Sequence, residues 1–287
     1  MPKKLSNALK NWAISIVKKL IKVLYNKTGL VVQVRKDRNA SIRNKRLNLN
    51  IGCGPYFIPG FVSVDYIHEK YHGSMKNRDI QKIKHYDMRG GKLNFSDQTV
   101  DNIYISHVIE HIEREYVDIF FEECFRVLKN NGCLRIAVPD FKYLFEMSSF
   151  DNEYFEWKKE FFLGSSNYDV DVDQLTQADF FIREAATAKG RFYKNKVDEL
   201  VLENFDNLFD DYGKTITNIN SGLQFRESYT GDHITPWDYS MLKERGENLG
   251  FSRVIQSKYQ GSVSAAMQGP LFDLTAPPMS LYVDLIK

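Results

Sequence analysis

The sequence predicts an α/β protein built on a doubly wound, mostly parallel sheet of seven strands. Short apolar runs alternate with helical segments along most of the chain, as the crossovers between parallel strands require. A glycine-rich turn follows the first apolar run, at the sheet edge where such folds bind ligands. The 287 residues are 43% hydrophobic and 26% charged, which is enough for a substantial core and excludes a disordered or fibrous class.

The first 46 residues differ from the rest in charge. They hold 13 Lys and Arg against one acid, whereas the remaining chain carries 26 basic against 36 acidic residues. Between Leu5 and Leu24, apolar residues recur at three- and four-residue steps, which predicts an amphipathic helix. Such a helix either packs on its own protein or contacts an anionic membrane surface through residues 5–25. Nucleic acid is disfavoured as a partner, because arginines and aromatic residues do not interleave as stacking requires.

The cellular compartment follows from three negative observations. No stretch reaches the roughly 20 apolar residues of a membrane-spanning helix. Trp12–Val17 is shorter than the apolar region of a signal peptide and has no cleavage site after it. Cys53, Cys124 and Cys133 are odd in number and form no Cys-x-x-Cys pair, which argues against disulfides and a zinc ribbon. We therefore expect a cytoplasmic protein with reduced thiols, located free in the cytoplasm or at the inner face of the plasma membrane.

The elements follow from the apolar periodicity in chain order. The predicted strands are 47–51, 61–65, 85–87, 100–106, 133–138, 251–255 and 281–286. The predicted helices are 115–129, stopped by Asn131 and Gly132, then 152–162, 196–209, and 236–249, which starts at Pro236 and is capped by Gly250.

These elements divide the chain into four parts. A basic amphipathic extension, 1–46, precedes a core of strands and helices, 47–140. The alternation stops in 141–232, which is rich in aromatic and acidic residues and predicts a helical insertion after the fifth strand. The last helix and the closing strands of the core occupy 233–287.

The turn after the first strand is the first candidate binding element. Gly52 and Gly54 let the backbone approach a ligand where a Cβ would clash, or they only allow a tight turn. Asp65 ends the next strand, where a carboxylate can accept hydrogen bonds from ribose hydroxyls. The third glycine of the dinucleotide fingerprint is missing and Asp65 follows Gly52 by 13 positions instead of about 20, which disfavours NAD. No Gly-Lys-Ser/Thr follows, which disfavours a P-loop.

Several motifs in a fixed order carry a family resemblance. They are Leu47-Asn-Leu-Asn-Ile-Gly-Cys-Gly-Pro55, Gly60-Phe-Val-Ser-Val-Asp65, Tyr86-Asp-Met-Arg89, Phe95 to Tyr104, Ser106-His-Val-Ile-Glu-His111 and Phe125 to Arg135. Through them the sequence resembles the class I S-adenosylmethionine-dependent methyltransferases, and more narrowly the group found in bacterial surface-polysaccharide (capsule and O-antigen) biosynthesis. The resemblance spans about residues 47–140 and implies a Rossmann-like methyltransferase fold.

The resemblance implies S-adenosyl-L-methionine as the cofactor. Gly52 and Gly54 would line its methionine part, Asp65 would bind the ribose, and Asp87 with the backbone of Met88 would face the adenine. The competing interpretation of Asp87 is a helix or turn cap.

His107, Glu110 and His111 are spaced i, i+3, i+4, which places them on one face if a helix begins there. The resemblance implies that His107 also contacts the cofactor, near its sulfonium. Some methyltransferase relatives hold a divalent metal on Glu-x-x-Glu-His at this point, and here His107 replaces the first Glu. The spacing permits a metal site or an acid-base cluster. We favour a packed His111 and a Glu110 that interacts with the helix N-terminus, and so expect no metal.

Two further residues are candidates for the acceptor site. His233 resembles the family's histidine just before the penultimate helix, close to the acceptor, or is a simple loop residue. Asp140 follows the fifth strand and is an acceptor-site candidate or a turn cap. A hydroxyl acceptor needs a base, and histidine suits this at neutral pH. We expect His107 or His233 to be the catalytic base, with His111 behind them.

The ordered motifs and the resemblance to the polysaccharide group imply an O-methyltransferase that acts on a sugar, sugar nucleotide or glycan precursor of a bacterial surface polysaccharide. The insertion 141–232 would supply an acceptor pocket or a lid. A small phosphorylated or phosphoramidate capsule group is an alternative acceptor. A membrane-surface adaptor with an inactive methyltransferase fold and an NAD enzyme are the alternatives from other functional classes.

Overall fold

The computed structural model describes residues 46–73, 75–150, 152–163, 175–189 and 208–287. The chain divides into two units, 1–45 and 46–287, and all of these residues belong to the second. The predicted amphipathic helix and nearly all of the predicted helix 196–209 lie outside the described residues.

The described residues form a seven-stranded sheet. Its strands are β1 (Asn48–Ile51), β2 (Phe61–Asp65), β3 (Lys84–His85), β4 (Val100–Ser106), β5 (Leu128–Pro139), β6 (Arg253–Gln256) and β7 (Ser280–Ile286). Their order is β3-β2-β1-β4-β5-β7-β6, and β7 runs antiparallel to both of its neighbours while the other pairs are parallel. The prediction of a doubly wound, mostly parallel sheet with the Rossmann-like methyltransferase fold is confirmed.

Eight α-helices accompany the sheet in the described residues. They are α1 (Glu69–His72), α2 (Asn77–Ile80), α3 (Arg114–Val127), α4 (Phe141–Phe150), α5 (Asn152–Leu163), α6 (Gln177–Ala185), α7 (Tyr212–Asn220) and α8 (Tyr239–Asn248). Among the described residues, none of the helices has the length and apolar character needed to cross a membrane.

The main core lies between the sheet and the apolar face of α3. The central strands β4 and β5 are almost fully buried, as expected for strands covered on both faces. Val117, Phe120 and Cys124 of α3 recur at helical spacing and are fully buried against them. A smaller apolar cluster joins α4, α6 and α7, around Phe141 and Phe181.

Two boundaries differ from the sequence prediction around the fifth strand. Helix α3 ends at Val127 and not at residue 129, because Leu128 already pairs with Val100 in the sheet. Asn131, predicted to stop the helix, lies instead within β5 at φ +63°, beside an irregularity in the pairing with β4. The strand therefore begins five residues before the predicted 133–138.

The last helix begins three residues after Pro236. Asp238 is its N-cap, because the carboxylate accepts a hydrogen bond from the Met241 N–H at 2.8 Å. Gly250 follows the helix at φ +91°, as predicted for a helix end. The third and sixth strands are also displaced from their predicted positions by one or two residues.

Candidate functional site

A cavity of about 380 Å³ lies at the carboxyl ends of β1, β2 and β4. It is lined by the turn after β1, the end of β2, the loop after β3 and the segment after β4, together with Phe225 and His233. This is the sheet edge at which doubly wound folds bind ligands. The volume falls within the usual range of small-molecule sites, about 300–1,000 Å³.

Gly52 and Gly54, in the turn after β1, suit their positions for different structural reasons. Gly52 has φ +68°, and a Cβ built on it would overlap the side chain of Val108, so the turn packs directly on the segment after β4. Gly54 has φ +49°, and a Cβ there would meet nothing within 4 Å. Gly54 thus leaves open space beside the cavity.

Cys53 lies between the two glycines. Burial and the nearby Asp65 raise the pKa of its thiol to about 12, so the thiol stays protonated at neutral pH.

Asp65 fixes this turn from the end of β2. Its Oδ2 accepts a hydrogen bond from the Gly54 N–H at 2.6 Å, and its Oδ1 accepts one from the Tyr66 N–H at 2.8 Å. Nε2 of His72 lies 3.5 Å from Oδ2. Burial raises the pKa of Asp65 above its usual value. Each carboxylate oxygen can accept a further hydrogen bond, so Asp65 still offers acceptors to a ligand.

Asp87 lines the cavity but is held by Arg89. The Arg89 Nε and Nη2 donate to its two carboxylate oxygens at 3.0 and 2.8 Å. Burial opposes ionisation, yet these hydrogen bonds lower the pKa of Asp87 below its usual value. The Arg89 guanidinium lies 4.0 Å from the ring centroid of Phe225 and 5.0 Å from that of Tyr66. Arg89, Tyr66 and Phe225 had no predicted role, although Arg89 ends one of the quoted motifs.

His107 follows β4 in an unusual backbone conformation, φ +54°, which non-glycine residues adopt at a cost. Its Nδ1 lies 3.1 Å from Oε1 of Glu110, and its Nε2 lies 2.8 Å from Oγ of Ser280. The structure therefore places His107 in the cavity wall with both ring nitrogens engaged by the protein.

Glu110 lies in a short 3₁₀ turn, Ile109–His111, and not in an α-helix as the spacing suggested. The residue is only 2% exposed. Burial would raise the pKa of its carboxyl, but the hydrogen bond and charge of His107 and the other two histidines lower it to about 2. Glu110 is consequently ionised at neutral pH.

The structure brings His233 beside His111, with ring centroids 5.0 Å apart. The backbone carbonyl of Glu110 accepts hydrogen bonds from Ile234 and Thr235, which joins the segment before α8 to the turn after β4. Burial, followed by His111, lowers the pKa of His233 to about 4, so this imidazole is neutral at pH 7. All three predicted histidines and Glu110 line one cavity.

Asp140 differs from the other candidates in position. Its carboxylate accepts a hydrogen bond from the Tyr143 N–H at 3.1 Å, in the first turn of α4, and its backbone pairs with Trp237. The residue does not line the cavity described above. The geometry supports the turn-cap interpretation.

Comparison with known proteins gives a family match. Residues 49–136, from β1 to β5, match the family described as a methyltransferase domain. This match supports an S-adenosylmethionine-dependent methyltransferase. Within the match lie Gly52, Gly54, Asp65 and Asp87, whereas His233 lies outside it. No curated protein matches the chain.

Solved methyltransferase structures show a distant likeness. A protein described as a SAM-dependent methyltransferase from Archaeoglobus fulgidus is 15% identical, with 84% of this chain and 86% of that chain covered and a TM-score of 0.38. One from Aquifex aeolicus is 10% identical over 86% and 84% of the two chains, with a TM-score of 0.36. A putative one from Methanococcus maripaludis is 13% identical over 84% and 77%, with a TM-score of 0.35.

The cavity of the methyltransferase domain fits S-adenosylmethionine, its cofactor. A side chain at position 54 would reduce the open space beside Gly54. The carboxylate oxygens of Asp65 lie next to this space and can accept hydrogen bonds. The carboxylates of Asp65, Asp87 and Glu110 all line the cavity, which suits a cofactor with a positive sulfonium.

Proposed function

We propose that this methyltransferase methylates a hydroxyl oxygen of a sugar, sugar nucleotide or glycan precursor of a bacterial surface polysaccharide. The observation that carries the proposal is the cluster of Glu110 with His107, His111 and His233 in the wall of the cofactor cavity. Methyl transfer to a hydroxyl oxygen needs a group that removes the proton, and an imidazole performs this at neutral pH.

The cofactor would lie across the ends of β1 to β4. Gly52 and Gly54 would line its methionine part and Asp65 would accept hydrogen bonds from the ribose hydroxyls. The adenine would lie beside the Met88 backbone and Asp87, whose carboxylate it would share with Arg89. When bound, S-adenosylmethionine supplies a methyl group activated by positive sulfur.

The hydrogen bonds of the histidines indicate which one acts as the base. Nδ1 of His233 lies 2.5 Å from the carbonyl oxygen of Glu184, and a carbonyl only accepts, so Nδ1 carries the proton. In the neutral ring, Nε2 then has a lone pair that can take the hydroxyl proton. His111 has the same arrangement, with its Nδ1 3.0 Å from the carbonyl of Asp232. We assign the base to His233 or His111.

His107 and Glu110 have a supporting role in this assignment. Glu110 is buried and ionised, and Oε1 lies 3.1 Å from His107 and 4.0 Å from His111. A carboxylate at this distance stabilises the positive charge that an imidazole gains with the proton. His107, held between Glu110 and Ser280, is a positioning residue that could also contact the cofactor.

The acceptor class rests on the motifs shared with the polysaccharide group and on the cavity mouth. Phe225, from the predicted insertion, packs on Arg89 at the cavity wall and leads along the chain toward His233. This contact supports a role of residues 141–232 in shaping the acceptor pocket.

The test is incubation of the full chain with S-adenosylmethionine labelled in its methyl group and a panel of sugar nucleotides and phosphorylated small molecules. We expect label on a sugar oxygen, and a His233→Gln variant that binds S-adenosylhomocysteine normally but transfers label at least tenfold more slowly. Label found only on phosphate or phosphoramidate groups would contradict the acceptor class. Failure to bind S-adenosylhomocysteine would contradict the enzyme assignment itself.

We further propose that residues 1–46 place the enzyme at the inner face of the plasma membrane. Their net charge of +12 and apolar periodicity support contact with anionic lipid. In co-sedimentation with anionic and with uncharged vesicles, the full chain should bind only the anionic ones, and a chain lacking residues 1–46 should bind neither. Equal behaviour of the two chains would contradict the proposal.

A further inference from the structure

We propose that Glu110, His111 and His233 form a site for one divalent transition-metal ion. The site goes beyond the methyltransferase assignment, because neither the fold nor the cofactor requires a metal. It differs from the sequence expectation, which considered His107, Glu110 and His111 and favoured no metal.

The three side chains converge from two separate parts of the chain. Glu110 and His111 lie in the 3₁₀ turn after β4, and His233 lies in the segment before α8. One ligand atom from each lies within 4.8 Å of the other two. Around a metal with bonds of about 2.1 Å such atoms are about 3.4 Å apart, so binding draws the side chains together by about 1 Å.

The hydrogen bonds of the two imidazoles prepare them as ligands. Nδ1 of His111 donates to the carbonyl oxygen of Asp232 at 3.0 Å, and Nδ1 of His233 donates to that of Glu184 at 2.5 Å. With the proton on Nδ1, the nitrogen of each ring that can bind a metal is Nε2. Donation of the other ring N–H to a carbonyl is the arrangement that orients metal-binding histidines.

Glu110 supplies the anionic ligand. Its carboxylate is buried, and among the described residues Oε2 accepts no hydrogen bond. Among the described residues, only histidines lie within ion-pair distance of it: Nδ1 of His107 at 3.1 Å and Nε2 of His111 at 4.0 Å. A buried carboxylate without a permanent cation is costly, and a metal ion would neutralise it.

His107 belongs to the shell around the site and not to the ligands. Its two nitrogens already contact Glu110 and Ser280. In this position it orients the Glu110 carboxylate, as outer partners of metal ligands do.

The ligand set selects the class of metal. Two imidazole nitrogens and one carboxylate suit Zn²⁺, Co²⁺, Mn²⁺ or Fe²⁺, whereas Mg²⁺ and Ca²⁺ prefer oxygen ligands. Three protein ligands leave a coordination position open, as in catalytic sites. If the proposed function holds, His233 or His111 acts as the base only in the metal-free chain. With the metal bound, both imidazoles would be ligands, and the metal would instead lower the pKa of an acceptor hydroxyl bound at the open position, whose proton would pass to water.

The test measures metal binding directly, without turnover. The full chain is treated with EDTA, freed of chelator and titrated with Co²⁺, whose absorption reports the number and type of ligands. We expect one equivalent bound with nitrogen and oxygen ligands and no thiolate band. His111→Ala, His233→Ala and Glu110→Gln should each weaken binding at least tenfold, while His85→Ala, an exposed histidine outside the site, should bind as the unchanged chain does.

A second measurement uses the unchanged chain, so it tests the proposal even where a variant fails to fold. In ¹H–¹⁵N spectra of the six imidazoles, Zn²⁺ should shift Nε2 of His111 and His233 and leave their Nδ1 protonated. Absence of binding to the folded chain, binding that survives all three substitutions, or shifts confined to other histidines would overturn the proposal. Because S-adenosylhomocysteine binding is measured separately, failure here is distinguishable from failure of the proposed function.

Discussion

Single residues at the cofactor cavity show which positions the backbone dictates and which the ligand dictates. Gly52 is required by its close approach to Val108, and Gly54 by the open space it leaves. Asp65 accepts a hydrogen bond from the Gly54 N–H, and in the proposed cofactor site it would also accept hydrogen bonds from the ligand. The two glycines and Asp65 therefore predict distinct consequences when replaced.

Replacing each glycine with alanine separates packing from binding. Gly52→Ala should lower the free energy of unfolding by about 2 kcal/mol, because it adds backbone strain and a clash with Val108. Gly54→Ala carries backbone strain of about 1 kcal/mol at φ +49° but meets no neighbouring atom, so it should lose less stability than Gly52→Ala and should weaken S-adenosylhomocysteine binding. Urea unfolding and calorimetry measure the two effects. Equal losses of stability in both variants would contradict this distinction.

Replacing Asp65 with asparagine should weaken S-adenosylhomocysteine binding by roughly tenfold to a hundredfold, the effect of losing hydrogen bonds to a charged acceptor. Asp79→Asn is the matched control, since Asp79 pairs with Lys82 on the surface of α2. Calorimetric titration of both variants gives the comparison. Unchanged affinity in Asp65→Asn would remove Asp65 from the binding site.

At the scale of elements, individual pairing and capping interactions determine where helices end, which the apolar periodicity alone does not define. Apolar spacing located α3 and α8, but their ends depend on the pairing of Leu128 with Val100 and on the Asp238 cap. Between α5 and α6, Nζ of Lys158 donates to Oε1 of the buried Glu184 at 2.7 Å. This pair joins two helices that precede the His233 segment.

The Lys158–Glu184 pair predicts a pH dependence of stability. Burial opposes ionisation of Glu184, but Lys158 and Arg183 lower its pKa from 4.5 to about 2. The folded carboxylate thus adds stability, up to about 3 kcal/mol, that is fully present above pH 4.5 and lost as the pH falls toward 2. Glu184→Gln should be less stable than the unchanged chain at pH 6, and the difference should shrink by pH 3. Thermal unfolding at both pH values measures it; a constant difference would contradict the argument.

At the scale of the whole molecule, the sequence predicts the fold better than the site. Strands such as Phe61–Asp65 and Val100–Ser106 were located to the residue, because buried parallel strands read as apolar runs bounded by turns. The approach of His233 to His111 needs a tertiary contact between the turn after β4 and the segment before α8, which no local pattern encodes. The Phe225–Arg89 contact has the same origin.

A buried charge network is the clearest example of contacts that the sequence does not predict. Arg135, at the centre of β5, is fully buried and bonds to the carboxylates of Asp273 and Asp284 at 2.5 and 3.2 Å. It also donates to Ser257 and to the Lys258 carbonyl. In the sequence, Arg135 is a lone charge within an apolar strand. Its partners, from β7 and the segment before it, become evident only in the folded sheet.

Arg135→Met should lower the free energy of unfolding by about 3–5 kcal/mol, because it leaves Asp273 and Asp284 buried without their cation. Arg253→Met, at an exposed position of β6, is the control and should change stability by less than about 0.5 kcal/mol. Urea unfolding of the two variants checks this. A loss below 1 kcal/mol in Arg135→Met would mean that the network is not essential to the closing strands.

The central claim is that the cavity at the ends of β1, β2 and β4 binds S-adenosylmethionine for methyl transfer. Calorimetric titration of the full chain with S-adenosylhomocysteine, and in parallel with NAD, tests it most directly. We expect one S-adenosylhomocysteine site per chain, weakened in Asp65→Asn, and no heat from NAD. Absence of S-adenosylhomocysteine binding by the folded chain, or binding of NAD in its place, would contradict it.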